Sequence, residues 1–354
     1  MQVTSFMENE VAESPKIIKR QLQNSVTILK EISKRLQLNP PSFVATIARG
    51  SSDHAALFAK YAIESQLGIV TTTIAPSIHT IYKTKINYKN SLVIGISQSG
   101  KSPDLVESMA YAKKSGALTV ALINENNSPL EKECEYCIPL LAQKERSIAA
   151  TKSFIASITR IIQFIAYWNC DNKLKEDLIA LPDILANQTL NYNKSNLNHL
   201  YTASHILVVG RGFTFPLALE SALKLKETCG LHAEAFSSAE ILHGPIELIK
   251  ENFPTLIYVN NDATFTSIAK LIELLIQKKS IITIIGSKKI IQDFKLTKNK
   301  NIIKIATNNS NKLGPICNSV PLIYCFYPLV AQLAKLKGKN PDKPTNLNKT
   351  TITF

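Results

Sequence analysis

Charge is in short supply in this 354-residue chain. Only 19 % of residues are charged, against roughly 25 % in an average globular protein. Apolar residues reach 45 %. Disorder needs the reverse combination, low hydrophobicity with high net charge, so that class is excluded. Acids are the scarcer sign, 27 against 41 Lys and Arg, giving a net charge of +14. Such a charge attracts polyanions, but the cations are scattered. Lys16, Lys19 and Arg20 lie near the start, and Lys278, Lys279, Lys288 and Lys289 lie late. No basic arm with interleaved aromatics appears, so no nucleic-acid partner is expected.

Cysteine is also sparse. Six in a chain this long make no disulfide framework. Cys134 and Cys137 form one C-x-x-C pair. No second pair or matching histidines complete a zinc site, and the pair does not open a helix after a strand as a redox motif would. Buried reduced thiols are the expectation. Residues 1–13 are polar and acidic, unlike a signal peptide. The apolar run Phe154–Cys170 is broken by Arg160 and Gln163, short of the ~20 apolar residues of a membrane span. A cytoplasmic protein without a membrane partner is expected. Neither a nucleotide P-loop nor a nucleophile elbow is present.

What is present is written twice. A helical stretch over 15–38, with apolar residues three and four apart, ends at Pro40-Pro41. An apolar strand at 43–48 follows, then Arg49-Gly50-Ser51-Ser52-Asp53 and a helix over 55–65. The same grammar returns at 205–209, with Gly210-Arg211-Gly212 and a helix over 216–228. Arg49 and Arg211 lie 162 residues apart. Strands at 91–96, 117–122 and 137–141 find partners at 254–259, 280–285 and 302–306, at offsets of 163 to 165. The reading is an internal duplication. Short apolar strands alternating with amphipathic helices imply α/β architecture, two tandem doubly wound parallel sheets with helices on both faces. The expected domains are an N-terminal helical segment over 1–40, a first sheet domain over 41–186, a second over 199–338 and a C-terminal tail over 339–354. A polar linker is expected over 187–198. Ligands bind at the carboxyl ends of such strands.

The richest loop is Ser97-Gln98-Ser99-Gly100-Lys101-Ser102, between a buried strand and a helix. Hydroxyls, an amide and a cation around one glycine, at a helix start with unpaired N–H groups, suit a phosphate. An ordinary N-cap loop is the bland alternative. The second-half equivalent, Asn260-Asn261-Asp262-Ala263, carries an acid and no hydroxyl cluster, so it would repel phosphate. Glu220, Lys224 and Glu227 are spaced four and three apart, on one helix face. A solvated ion-pair ladder is common at this spacing, but Leu217, Leu219, Leu223 and Leu225 leave the helix little polar surface. His243 is fixed by a Gly-Pro turn with acids nearby.

Taken together, these segments resemble the sugar isomerase (SIS) family over nearly the whole chain. The matching segments are Ala48–Ser52, Ser97–Gly100, Glu145–Phe154, Gly210–Gly212, Ala218–Glu227, His232–Glu234 and Glu240–Pro245, with Asn340–Pro344 through Leu347–Lys349 in the tail. The pattern is shared by the isomerase half of glutamine–fructose-6-phosphate aminotransferase and by SIS-type glucosamine-6-phosphate deaminase. Ser99–Leu105 and Ala149–Ser153 look more like the deaminase branch, because the aminotransferase has an acid at Lys101 and a serine at Ala150. The aminotransferase also begins with a glutaminase domain, for which there is no expected room here. The resemblance implies glucosamine 6-phosphate as substrate and fructose 6-phosphate and ammonia as products. It implies phosphate binding by Ser97, Gln98, Ser99 and Ser102 with help from Ser52, and sugar contacts at Ala149 and Lys224. His243 would assist ring opening, Glu227 would shuttle a proton between C2 and C1, and Lys349 would approach the sugar. A homodimer sharing its active sites is implied, with His243 reaching the partner's site, and no metal or organic cofactor is called for. Galactosamine-6-phosphate deaminase/isomerase, fructosamine-phosphate deglycase, a glutaminase-less aminotransferase and a non-catalytic sugar-phosphate sensor are the alternatives.

Overall fold

The computed structural model describes residues 4–189, 192, 194–293, 299–308 and 313–349. Three helices open the chain: α1 (Phe6–Ala12), α2 (Ser14–Gln23) and α3 (Val26–Leu38). The single helix expected over 15–38 is thus broken. Asn24 is extended and Ser25 sits at φ +70°, which ends one helix and restarts the next. The first α/β run is β1 (Phe43–Ile47), α4 (Ser51–Leu67), β2 (Thr71–Thr73), α5 (Ser77–Thr80), β3 (Ser91–Ser97), α6 (Pro103–Lys114), β4 (Leu118–Ile123), α7 (Pro129–Glu133), β5 (Tyr136–Pro139) and α8 (Lys152–Trp168). Helices α9 (Asn172–Ala186) and α10 (Lys194–Thr202) follow, so the expected 187–198 linker gives way to helix at Lys194. The second run is β6 (His205–Gly210), α11 (Phe215–Cys229), β7 (His232–Ser237), β8 (Pro254–Val259), α12 (Phe265–Gln277), β9 (Ile281–Ser287), α13 (Lys288–Asp293), β10 (Ile302–Thr307) and α14 (Pro315–Leu336).

Both sheets are five-stranded and parallel, in the orders β2-β1-β3-β4-β5 and β7-β6-β8-β9-β10. The strand order is the same in each, as a duplication requires. Strands β3 and β8 are buried at every residue, as expected for strands covered on both faces. The edge strands β2 and β7 escape the periodicity reading. Thr71–Thr73 is three threonines with two exposed, and His232–Ser237 alternates weakly, so neither carries the apolar run that marks a central strand.

The chain forms two compact units. The first-sheet unit comprises Glu13–Glu145, Lys152–Pro182 and Asn348–Phe354. The second-sheet unit comprises Met1–Ala12, Arg146–Thr151 and Asp183–Leu347. In the first-sheet unit, α8 is buried along nearly its whole length. Its Arg160 is fully buried and donates to the carbonyls of Pro139 and Gln21, which holds α2, α8 and β5 together. In the second-sheet unit the corresponding helix is α14. It is long and apolar enough to cross a membrane, but 94 % of its most apolar stretch is buried inside the protein. It packs on α1, α10 and α11, as the core helix of its unit.

The six cysteines are all free thiols. Burial pushes the Cys134 and Cys137 thiols up to about 12, the opposite of an activated redox pair.

Candidate active site

The strand order 2-1-3-4-5 reverses between its first and third strands, and that reversal opens a crevice at their carboxyl ends. In the first-sheet unit the crevice lies between the loops after β1 and β3. Each loop runs straight into a helix. Gly50, at φ +56°, leads into α4, whose first turn carries Ser51 and Ser52. The second loop, Ser97 to Ser102, leads into α6. Two helix N-termini therefore flank one crevice, each with N–H groups lacking helical acceptors.

The β3 loop is tightly built. Ser97 Oγ accepts from the Gly100 N–H at 2.9 Å. Gly100 stands at φ +63°, and a Cβ there would lie 2.3 Å from Ser128 Oγ, so only glycine fits. Ser99 Oγ accepts from the Lys101 N–H at 3.3 Å. Gln98 and Ser99 are half-buried. Ser102 occupies the N-cap position of α6, yet its hydroxyl makes no cap hydrogen bond. Lys101 departs from expectation. Its ammonium turns to Glu125 at 2.7 Å and remains well exposed, so it neutralises an acid rather than completing the cradle. The cation beside this crevice that sequence reasoning missed is Arg49. Its Nε and Nη2 donate to Asp104 Oδ2 at 3.0 and 2.8 Å, joining the β1 loop to the first turn of α6.

The equivalent crevice in the second-sheet unit spends its polar groups on itself. The Arg211 N–H donates to Thr214 Oγ1 and the Thr214 hydroxyl donates back to the Arg211 carbonyl, both at 2.9 Å. Asn260 is buried, donating to the Pro315 carbonyl at 2.8 Å and accepting from Asn318 at 2.6 Å. Asp262 accepts from the Thr264 N–H at 2.8 Å.

What the second-sheet unit offers is the acid–base–acid row on α11. It is not a solvated ladder: Glu220 and Lys224 are buried, and the Glu227 side chain keeps 21 % exposure. Lys224 Nζ lies 2.5 Å from Glu227 Oε2 and 3.5 Å from Glu220 Oε1. Tyr327 of α14 donates to Glu220 at 3.3 Å. Glu227 opens on a pocket of about 640 Å³, walled by Lys226, Thr228, Gly230 and the tail from Gly338 to Leu347. His243 lies in a 3-10 turn, Glu240–His243, exposed and outside that pocket. A second cleft, of about 970 Å³, lies at the amino ends of β6, β8 and β9, away from the ligand end of the sheet.

Two further expected positions take defined places. Ala149 is buried, and its carbonyl accepts from the Ser147 hydroxyl at 3.2 Å. Lys349 forms an ion pair in the first-sheet unit with Glu145, Nζ to Oε2 3.0 Å. Glu145 is itself buried and also accepts from the Ser153 N–H and hydroxyl, at 3.2 and 2.8 Å. In the sequence Glu145 stands out only as the first residue of a segment shared with the family. A lone glutamate gives no sequence signal that it will be buried against a lysine some 200 residues away.

Two like-ordered parallel sheets, one with a hydroxyl-lined crevice and one with a buried carboxylate row, define a duplicated doubly wound α/β protein. The chain belongs to the SIS domain family, which matches residues 38–167 and 199–333. It is 31 % identical over 351 residues to the glutamine–fructose-6-phosphate aminotransferase (isomerizing) of Aquifex aeolicus, covering 98 % of this chain and 57 % of that one. The corresponding enzyme of Sulfurisphaera tokodaii is 30 % identical, with 98 % and 56 % covered. The chain thus spans just over half the length of these curated relatives and is homologous to their isomerase domain. Among solved structures, a candidate phosphosugar isomerase of Silicibacter pomeroyi aligns with a TM-score of 0.84 at 31 % identity, over 96 % of this chain and 100 % of that one. The glucosamine-6-phosphate deaminase of Thermotoga maritima shares the fold, with a TM-score of 0.74 at 20 % identity over 99 % and 100 % of the two chains.

Proposed function

We propose that this chain converts glucosamine 6-phosphate and water to fructose 6-phosphate and ammonia. The observation that carries the reading is Glu227. It is the member of a buried acid–base–acid row that reaches a pocket, and it is paired with Lys224. A carboxylate so placed suits proton transfer beside a carbonyl. In the open-chain sugar, Glu227 takes the C2 proton while the aldehyde oxygen gains one, leaving an enolamine, and then returns its proton to C1 while the amine nitrogen gives one up. The product is a 2-imino sugar phosphate. Water adds to its C2, ammonia leaves with the nitrogen, and the ketone of fructose 6-phosphate remains. Lys224 holds the Glu227 carboxylate in place. Phosphate binding is assigned to Ser97, Gln98, Ser99 and Ser102 with Ser52, at the two helix N-termini of the first-sheet unit. Lys349, held by Glu145, supplies an ammonium to the sugar.

Deamination is favoured over amide transfer by two departures from the aminotransferase pattern, Lys101 and Ala150, and Lys101 is engaged with Glu125. His243, exposed on its own subunit, is proposed to serve ring opening in the partner's site of a homodimer. The test is incubation with glucosamine 6-phosphate while ammonia and fructose 6-phosphate are followed. Parallel reactions use galactosamine 6-phosphate and fructose 6-phosphate with glutamine. Ammonia and fructose 6-phosphate in equal amounts from the first alone support the proposal. Preference for the galacto epimer, or no turnover despite sugar-phosphate binding, overturns it.

A further inference from the structure

The tail that walls the Glu227 pocket is tied to the first helix of the chain. Asp342 lies within that tail. Its Oδ1 accepts from the Met7 N–H at 2.8 Å and its Oδ2 from the Phe6 N–H at 2.9 Å, so a residue from the far end of the chain caps α1. The Asp342 carbonyl accepts from the Ile148 N–H at 3.0 Å. Glu10, buried near the end of α1, grips the same segment from the other side. It accepts from the backbone N–H of Arg146 and Ser147 and from the Ser147 hydroxyl. The Arg146 guanidinium lies 5.4 Å over the Phe6 ring. Glu8 pairs with Lys335, near the end of α14 where the tail begins. Three segments, 6–10, 146–148 and 335–342, are thus joined through three acids, Asp342, Glu10 and Glu8, all within the second-sheet unit.

A seven-residue helix is too short to be stable alone in water. Here its partners include α14, the tail and the 146–148 segment, which also carries the backbone leading to Ala149. Glu10 is a buried carboxylate accepting several N–H bonds, which is costly to leave unpaired, and the half-buried Asp342 accepts two more. We propose that α1 is a clamp for the active site. Asp342 and Glu10 are its positioning residues, holding the tail wall of the Glu227 pocket and the 146–149 segment in one arrangement. The functional part of this inference rests on the assignment of Glu227 as proton shuttle; the structural part does not.

The test compares Asp342→Ala, Asp342→Asn and Glu10→Gln with the parent, by kinetics and by amide hydrogen exchange. Asn keeps one acceptor oxygen, so Asp342→Asn preserves folding if Ala does not. Asp342→Ala is expected to lower kcat on glucosamine 6-phosphate by about 10²-fold, the scale of a small misplacement of reacting groups. KM should stay within a factor of two, because the proposed phosphate cradle lies elsewhere. Asp342→Asn should fall between parent and Ala. Faster exchange is expected at 6–12, 146–149 and 338–347 together, with β6 and β8 still protected. Should faster exchange be confined to α1, or kcat stay at the parent value, the clamp is overturned. If the parent itself fails to turn over glucosamine 6-phosphate, the proposed function falls, and the concerted exchange of the three segments still decides the clamp.

Discussion

Arg49 and Asp104 tie the two sides of the first crevice together. The half-exposed guanidinium makes two hydrogen bonds to one oxygen of a carboxylate whose side chain is 1 % exposed. The other oxygen accepts from the Leu105 N–H at 2.8 Å, at the start of α6. The loop after β1 and the helix after β3 are thereby held at one separation. Arg49→Ala leaves a buried carboxylate short of its partner, at a cost of about 1–3 kcal/mol. Urea unfolding should show that loss, and KM for the sugar phosphate should rise with it. A double-mutant cycle with Asp104→Asn should return a coupling of about 0.5–3 kcal/mol; additive effects would separate the two loops.

Ser99 and Ser102 present hydroxyls at the head of α6, and the Ser102 hydroxyl is not spent on capping. The double variant Ser99→Ala with Ser102→Ala should fold normally and raise KM by at least tenfold. Each lost hydrogen bond to a charged phosphate is worth roughly 1.5–3 kcal/mol. Isothermal titration with fructose 6-phosphate gives the same answer independently of turnover. Unchanged binding would move the phosphate site away from this loop.

Glu227→Gln keeps the shape of the side chain and removes the base. Turnover should fall about 10²–10⁴-fold with sugar-phosphate binding retained. The variant should also stop exchanging the C2 hydrogen of glucosamine 6-phosphate with deuterated water, which isolates proton transfer from ring opening and ammonia release. Exchange at the parent rate would shift the role to another group, with Glu220 the next to examine.

His243 stands exposed in the chain. If it completes the partner's site, mixing inactive His243→Ala dimers with inactive Glu227→Gln dimers should restore activity through hybrid sites. Subunit exchange verified by native mass spectrometry, with no activity regained, counts against a shared site.

Burial pushes the His199 imidazole down to about 4, from an ordinary value near 6.5. The ring sits on α10 with Nε2 2.7 Å from Thr283 Oγ1. Between pH 6.5 and 4 the unfolded chain binds more protons at this position than the folded one, so stability is full above 6.5 and declines as pH falls towards 4. Thermal melts across that window should show the decline. His199→Gln, which keeps a hydrogen-bonding side chain without a titrating ring, should flatten it.

Much of the architecture was legible in the residues themselves. The central strands declare themselves as apolar runs because burial on both faces leaves no room for polar alternation, and β3 and β8 fall where those runs lie. The duplication was legible because two copies of one fold must place their strands at one offset. The crevice loop was legible because a serine-rich turn around Gly100 sits between a buried strand and a helix. The break at Asn24-Ser25 was not, because both flanking segments keep helical apolar spacing and only the backbone at Ser25 interrupts them. The edge strands β2 and β7 were not, because half-exposed strands need no apolar run.

By itself, the order of residues determined the class of fold, the repeat, the serine-rich loop between β3 and α6 and the spacing of Glu220, Lys224 and Glu227. Apart from the repeat, which is read by comparing the two halves of the chain, those features are local: they depend on periodicity, on helix pitch and on the residues within one turn of each other. Tertiary structure alone decided that the Glu–Lys–Glu row is buried rather than solvated, that Lys101 answers Glu125 while Arg49 answers Asp104, and that Lys349 lies against Glu145. It alone decided that Asp342 caps a helix 335 residues away. Such pairings join groups far apart in the chain, and an ionic side chain chooses its partner by the position that packing has given it in space.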